Sequence, residues 1–117
     1  MINIITSLFP FRLNISEKKP VELTIQIKNM GLEAKLISCD IVLDNSISLD
    51  KSGLKKSISF RFGEIKANQI ISEKLEIYPF QGIKPGDNKI MIKVNEHYLN
   101  YDSLREKTEK VIIIKSV

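Results

Sequence analysis

The chain has 117 residues, of which 43% are hydrophobic and 27% charged, and its formal net charge is +4. This length and composition exclude a disordered segment and predict a single domain over residues 1–117, with a core large enough to fold without a metal or a disulfide. Cys39 is the only cysteine, which excludes an intramolecular disulfide and any metal site built from several thiolates.

The basic excess comes mainly from lysine, because Arg12, Arg61 and Arg105 are the only arginines. Arginine is the residue that recognises phosphates and bases with paired hydrogen bonds, so we do not expect nucleic acid as a partner. We keep a lysine-mediated nucleic-acid binder as the last alternative.

No apolar run approaches the roughly 20 residues that span a bilayer, and we expect no membrane insertion. The N-terminal stretch MINIITSLFPFRLNIS lacks a basic start and is broken by Pro10, which is not typical of a signal peptide. We therefore expect a cytoplasmic protein if the chain is full length. If the chain is a fragment of a longer exported protein, we expect it at the cell surface.

Alternation of apolar and polar residues predicts strands in the first half of the chain. The segments are FPFRLNI (9–15), VELTIQIK (21–28) and LISCDIVLD (36–44), and a short edge strand ISL (47–49) follows. Their predicted inward side chains are Phe9, Phe11, Leu13, Ile15, Val21, Leu23, Ile25, Ile27, Ile37, Cys39, Ile41 and Leu43.

The same pattern continues in SISFRF (57–62), IISEKLEIYP (70–79) and NKIMIKVNEH (88–97). Glu73 interrupts the apolar face of the second segment, which indicates a bulge or an edge position. The predicted inward side chains are Ile58, Phe60, Phe62, Ile71, Leu75, Ile77, Ile90, Ile92 and Val94.

The segment KVIIIKSV (110–117) is a continuous apolar, β-branched run, which favours a central strand. Just before it, SLREKTEK (103–110) has the composition of one helical turn. About seven short antiparallel strands with polar connections predict an all-β fold, either an immunoglobulin-like sandwich or a small barrel. We prefer the sandwich.

The order of these features resembles CARDB-like and related bacterial and archaeal immunoglobulin-like domains. The shared features are VELTIQIKNMGLEA with its Asn29-x-Gly31 turn, the strand CDIVL, and the Pro85-Gly86 turn in KPGDNKIMIKV. This chain has KANQ where the family often has Pro-Gly, and it lacks the acidic, Asn-rich ending of the family. The resemblance covers roughly residues 20–115 and implies an adhesion or spacer module on the cell surface.

The residue types that carry catalysis or bind cofactors are sparse. His97 is the only histidine, and Cys39 has inward parity, where a thiol is usually inert. No G-x-S-x-G elbow and no glycine-rich phosphate loop occurs. We therefore predict no enzyme activity, no metal and no cofactor.

The remaining candidates are aromatic residues in loops. His97 lies in VNEHYLNYD (94–102), where alternation would bury Glu96, so we expect the sheet to end or bulge near Asn95. Tyr98 and Tyr101 follow in the loop between the last two strands, either as recognition side chains or as a cap on the sandwich. Phe80, in YPFQG (78–82), either folds back on the core or is exposed as an anchor.

These observations predict a non-catalytic protein-interaction or assembly module. It would use an exposed edge strand or its end loops, with contacts at His97, Tyr98, Tyr101 and Phe80, and would bind a protein partner or a second copy in a homodimer. The alternative is a small-ligand binder or enzyme with a site around His97.

Overall fold

Nine β-strands form two facing sheets in the computed structural model, which describes residues 1–80 and 82–117. Their bounds are β1 Ile2–Phe9, β2 Arg12–Leu13, β3 Val21–Asn29, β4 Lys35–Leu43, β5 Ile47–Ser48, β6 Ser57–Ile65, β7 Ile70–Pro79, β8 Gly86–His97 and β9 Leu104–Ser116. The first sheet has the order β1-β3-β7-β5, and the second has the order β2-β9-β8-β4-β6. Neighbouring strands are antiparallel except β2 and β9, which are parallel.

The core lies between the two sheets and is built from alternate residues of the long strands. On β3 and β4 the burial alternates as the sequence predicts, and β8 does the same from Asn88 to Val94. The buried apolar side chains are Ile2, Ile4, Leu13, Val21, Leu23, Ile25, Ile27, Ile37, Cys39, Ile41, Leu43, Ile47, Ile65, Ile77, Ile90, Ile92, Val94 and Ile114. The prediction that Cys39 is a core residue is confirmed, and burial raises the pKa of its thiol to about 12.

The N-terminal region differs from the prediction of one strand over 9–15. The chain forms β1 in the first sheet and then the two-residue β2 in the second, with Pro10 between them. Proline has no N–H to donate, so the ladder stops there and the chain crosses from one sheet to the other. Leu13 is buried as predicted, but Phe9 and Phe11 are exposed.

The C-terminal region also differs from the prediction. Residues 103–110 form no helical turn, because β9 runs from Leu104 and pairs with β8 along nearly its whole length. The strand is not central either, since its second neighbour is only the short β2. Val111 and Ile113 are half exposed on the outer face, which explains how a continuous apolar run can occur beside a sheet edge.

The two irregularities expected in the later strands are partly confirmed. The β3–β7 register is continuous, so Glu73 causes no bulge, but residues 70–77 of β7 pair on one side only, which is the predicted edge position. The strand β8 does not end at Asn95: it runs to His97, buries Glu96, and shifts register against β9 between these two residues. No helix in the part of the chain that the structure describes is long and apolar enough to cross a membrane.

A pair of isoleucine variants tests the assignment of inner and outer faces. Ile92→Ala empties a fully buried position and is expected to lower the free energy of unfolding by about 2–5 kcal/mol. Ile113→Ala is the matched control on the outer face, with an expected change of about 1 kcal/mol or less. Urea unfolding followed by circular dichroism measures both, and similar losses would contradict the assignment.

Candidate functional site

His97, the last residue of β8, is buried with only 8% of its surface exposed. It lies opposite Leu36 on β4, and its ring packs edge-on against Tyr101 with 5.2 Å between the ring centroids. The predicted contact residue is therefore covered on the outer face at the end of the second sheet, and its ring presents little surface to a partner.

A chain of hydrogen bonds runs across the outer face of the second sheet to His97. Ser59 and the side-chain amide of Asn95 donate to the Asp40 carboxylate at 2.6 and 3.0 Å. The same amide donates to Ser38 Oγ at 3.2 Å, and Ser38 Oγ is hydrogen-bonded to His97 Nε2 at 2.7 Å.

The position of the carboxylate distinguishes the network from a hydrolytic triad. In a triad a carboxylate accepts from Nδ1 of the histidine and orients it toward the serine. Here the carboxylate of Asp40 lies at the opposite end of the chain, and within residues 1–80 and 82–117 His97 Nδ1 has no hydrogen-bond partner. The geometry is that of a partly buried polar network linking β4, β6 and β8.

Tyr101 and Tyr98, although in the same loop, have different surroundings. The Tyr101 hydroxyl accepts a hydrogen bond from the backbone N–H of Gly63 at 2.9 Å, and the Arg61 guanidinium lies 4.8 Å from its ring centroid. Tyr98 is 62% exposed, with Arg105 at 5.8 Å from its ring centroid. Tyr101 is therefore held against His97 and Gly63 at the end of the second sheet, and Tyr98 is the more exposed of the two tyrosines. A capping role for Tyr101 stays a prediction.

An open groove of about 610 Å³ lies beside this end of the sandwich. Its lining contains two acidic and two basic side chains together with His97. The lining residues are Glu33, Ala34, Lys35, Leu36, Glu64, His97, Tyr98, Leu99, Ser103 and Arg105.

Glu96 points to the inner face and is almost fully buried, at 1% exposed. Burial raises the pKa of its carboxyl, the Met1 ammonium at 3.9 Å opposes this, and the neighbouring Glu106 carboxyl raises it further. The two glutamates face each other across β8 and β9. Charge at this position is therefore unfavourable in the folded protein.

Phe80 lies at the opposite end of β4 from His97 and is neither fully buried nor free. Its ring covers Gly53, where an added Cβ would come within 2.4 Å of the ring, and Lys56 Nζ lies 5.0 Å from the ring centroid. Gly53 has a φ of +79°, so any side chain there would be both strained and blocked. The structure thus groups His97 with Tyr98 and Tyr101 and separates Phe80 from them.

The free edge of β1 is a second surface, which the sequence prediction of a strand at 9–15 missed. Met30 N donates to Met1 O at 2.8 Å, so the odd-numbered residues of β1 direct their backbone groups toward β3. The even-numbered residues therefore direct theirs away from the sheet. Lys110 Nζ confirms this direction by donating to Ile4 O at 3.3 Å from the outside.

β1 differs from the other sheet edges in charge. Its residues, INIITSLF, include no Lys, Arg, Asp or Glu, and its register with β3 has no bulge over eight residue pairs. The sheets also end in β6 and in the two-residue strands β2 and β5, which leave most of β9 and β7 free on one side. Among these long free sides, β6, β7 and β9 each carry charged residues. Proteins usually protect an exposed edge with charge, proline or a bulge, and within its paired length β1 has none of these.

No group of three or more His, Cys, Asp or Glu side chains in the described ranges is arranged to hold a metal ion. Cys39 and His97 are on opposite faces of the second sheet, the thiol inward in the core and the imidazole outward.

Comparison with known proteins gives likenesses of fold. No protein-family model matches the sequence, and no curated protein matches it. Among solved structures, alpha-2-macroglobulin from Escherichia coli, in the region from domain MG7 to the C-terminus, matches 100% of this chain with a TM-score of 0.74 at 11% identity.

Two further structures match with a TM-score of 0.52. They are the alkylpurine DNA glycosylase AlkC from Pseudomonas fluorescens, bound to DNA containing an abasic site analog, at 12% identity, and the bacterial hydrophobin BslA at 8% identity. They cover 98% and 99% of this chain. The chain spans 16% of the macroglobulin, 30% of the glycosylase and 95% of BslA. At these identities the likenesses show the fold alone, and the prediction of an all-β immunoglobulin-like sandwich is confirmed.

The buried glutamate predicts a pH dependence of stability. Because the folded state raises the pKa of Glu96, its contribution to stability is complete below the unfolded pKa of about 4.3 and is lost as the pH rises through the folded pKa. Glu96→Gln should therefore match the wild type near pH 4 and be more stable at about pH 7.5, by about 1.4 kcal/mol if the pKa is raised by one.

Urea unfolding across this pH range measures the effect. Glu106→Gln is the control: it removes the facing negative charge, so the pH dependence should weaken while Glu96 stays in place. A Glu96→Gln variant that gains nothing at neutral pH would contradict the prediction.

The two tyrosines predict different losses on removal of one hydroxyl. Tyr101→Phe leaves the Gly63 N–H without its acceptor, and we expect it to lower the free energy of unfolding by about 1–3 kcal/mol. Tyr98→Phe, in the same loop, is the matched control with an expected change of about 0.5 kcal/mol or less. Equal values in thermal or urea unfolding would show that Tyr101 has no capping role.

Proposed function

We propose that this chain is a non-catalytic protein-interaction module that binds an extended partner segment along the free edge of β1. The observation that carries the proposal is the combination, in one strand, of an outward row of backbone hydrogen-bonding groups and a complete lack of charge. Strand addition to such an edge derives its affinity from main-chain hydrogen bonds and its specificity from alternate side chains.

The outer face of β1 supplies the alternate side chains. Met1, Ile5 and Phe9 are spaced four residues apart on this face, with exposed fractions of 76%, 43% and 81%. Asn3 and Ser7 lie between them on the same face. A strand added beside β1 would cover part of each of the three exposed apolar side chains.

The contacts predicted at His97, Tyr98, Tyr101 and Phe80 stay a prediction for a second surface. Tyr98 is the member of this set that a partner reaches most easily, because His97 is buried and Tyr101 bonds the backbone. A small-ligand or enzymatic site in the groove at His97 remains the alternative, supported by the Ser38–His97 hydrogen bond. A nucleic-acid partner remains the last alternative.

We also propose that the chain is one domain and that it is a module of a larger assembly. We take residues 1–117 as a single domain, since the buried apolar side chains of both sheets form one core cluster. The fold matches a small part of the macroglobulin chain, which supports a module of a larger assembly, as the resemblance to CARDB-like domains implies. A place at the cell surface follows from that context, and a cytoplasmic place follows if the chain acts alone.

A selection from a displayed library of random peptides tests strand addition at β1. The bait is the intact chain, and the blocked variant is Thr6→Pro, which removes an outward N–H and leaves the hydrogen bonds to β3 intact. Thr6→Val is the matched control, because it keeps the N–H and the shape of the side chain.

Peptides selected on the wild type should be uncharged and β-branched, and should bind Thr6→Val equally. Their affinity for Thr6→Pro should fall tenfold or more, a loss of about 1.4 kcal/mol or more. Circular dichroism checks that both variants keep the fold. Peptides that bind Thr6→Pro as well as the wild type would contradict the proposal.

A further inference from the structure

We infer that the partner of the β1 edge is a second copy of this chain, whose β1 pairs antiparallel with the first about a two-fold axis at Ile5. The inference rests on the proposed function of this edge and names its partner.

The backbone of β1 is arranged symmetrically around Ile5. The outward groups belong to Ile2, Ile4, Thr6 and Leu8, two on each side of the axis. A two-fold rotation brings Ile2 of one copy opposite Leu8 of the other, and Ile4 opposite Thr6. In this register each outward N–H of one copy meets an outward C=O of the other. A shift by two residues leaves groups at both ends without partners.

The side chains of the outer face match in the same register. Ile5 meets Ile5, Asn3 meets Ser7, and Met1 meets Phe9 of the second copy. The three exposed apolar side chains therefore all gain an apolar neighbour, and an amide meets a hydroxyl between them. The stretch INIITSL is thus self-complementary about its centre.

The distribution of charged side chains favours self-pairing through β1 over self-pairing through the other edges. In a two-fold antiparallel pair the residue on the axis faces its own copy, so a charge at that position opposes pairing. β7 carries Glu73, Lys74 and Glu76, and β9 carries a run of charges from Arg105 to Lys110. β1 carries none, so its self-pairing meets no such repulsion.

One interaction must change when the edges meet. In the single chain Lys110 Nζ donates a hydrogen bond to Ile4 O, at the long distance of 3.3 Å. In the pair this carbonyl accepts from the N–H of Thr6 of the second copy, and the half-buried Lys110 side chain turns to solvent. The resulting interface is isologous and closed, because each copy uses its β1 edge once.

A cysteine at the axis tests the register. Residues facing each other at Ile5 form a non-hydrogen-bonded pair with Cα atoms about 4.5 Å apart, within the range of a disulfide. Ile5→Cys should therefore form a covalent dimer with oxidised glutathione, seen on a non-reducing gel and by mass. The native Cys39 is buried and does not interfere.

Ser7→Cys is the matched control on the same face. Its thiol faces Asn3 of the second copy rather than another cysteine, so it should stay uncrosslinked. A mixture of Ser7→Cys with Asn3→Cys should form the mixed disulfide.

Charge at the axis gives a reversible test. Ile5 is exposed on the outer face, so Ile5→Lys and Ile5→Glu keep the fold but place like charges together in the pair. In sedimentation equilibrium the wild type should dimerise, each variant alone should dissociate at least tenfold more readily, and their equimolar mixture should regain the dimer.

A wild-type chain that stays monomeric up to millimolar concentration, or a dimer insensitive to Ile5→Lys, would overturn the inference. So would equal crosslinking of Ile5→Cys and Ser7→Cys. If selected peptides bind the wild type and not Thr6→Pro while the chain stays monomeric, the edge binds a different protein. In that case the proposed function stands and the second copy does not.

Discussion

The antiparallel pairing of β4 with β8 is the constraint on which the rest of the structure depends. It places Cys39 opposite Val94 and Ile41 opposite Ile92 on the inner face, and this builds the centre of the core. The same register places Ser38 opposite Asn95 on the outer face. Because side chains alternate along a strand, a slip of one residue would turn the apolar set to solvent and bury the polar network. Core and network therefore require each other.

The end of β8 and the free edge of β1 differ in how many of their polar groups have a hydrogen-bond partner within the chain. At the end of β8, Ser38 is hydrogen-bonded to His97, the Tyr101 ring packs against His97, and the Tyr101 hydroxyl accepts from Gly63, so the strand end and the loop are held together. At the side, β1 has only β3 as a neighbour, and its outward backbone groups face away from the sheet. The first region is largely satisfied within the chain. The second is open, and this is why the proposed contact lies along β1.

Much of the fold could be predicted from alternation alone, because β3, β4 and β8 up to Val94 bury every second side chain. The terminal strands could not. A run such as VIIIK is compatible with burial on both faces, and only the order of strands shows that the outer face of β9 is exposed. At the start of the chain, the alternation of 9–15 concealed a crossing between sheets. The uncharged stretch before Pro10 was the available signal for an edge strand.

The candidate site was predicted less well than the fold, because the exposure of each side chain depends on residues that are distant in the sequence. Sequence proximity groups His97, Tyr98 and Tyr101, but whether each is accessible depends on Gly63, Arg61 and Ser38, which come from distant strands. The order of strands in the sheet determines these neighbours, and the alternation of residues along a single strand does not predict them.

The buried thiol at the centre of this pairing has a consequence for where the chain can work. With its only cysteine in the core and a thiol pKa of about 12, the chain presents no reactive thiol at its surface and forms no disulfide of its own. Its core is therefore held together without a covalent bond between side chains. Folding of this kind is compatible with a reducing cytoplasm and with an oxidising extracellular space.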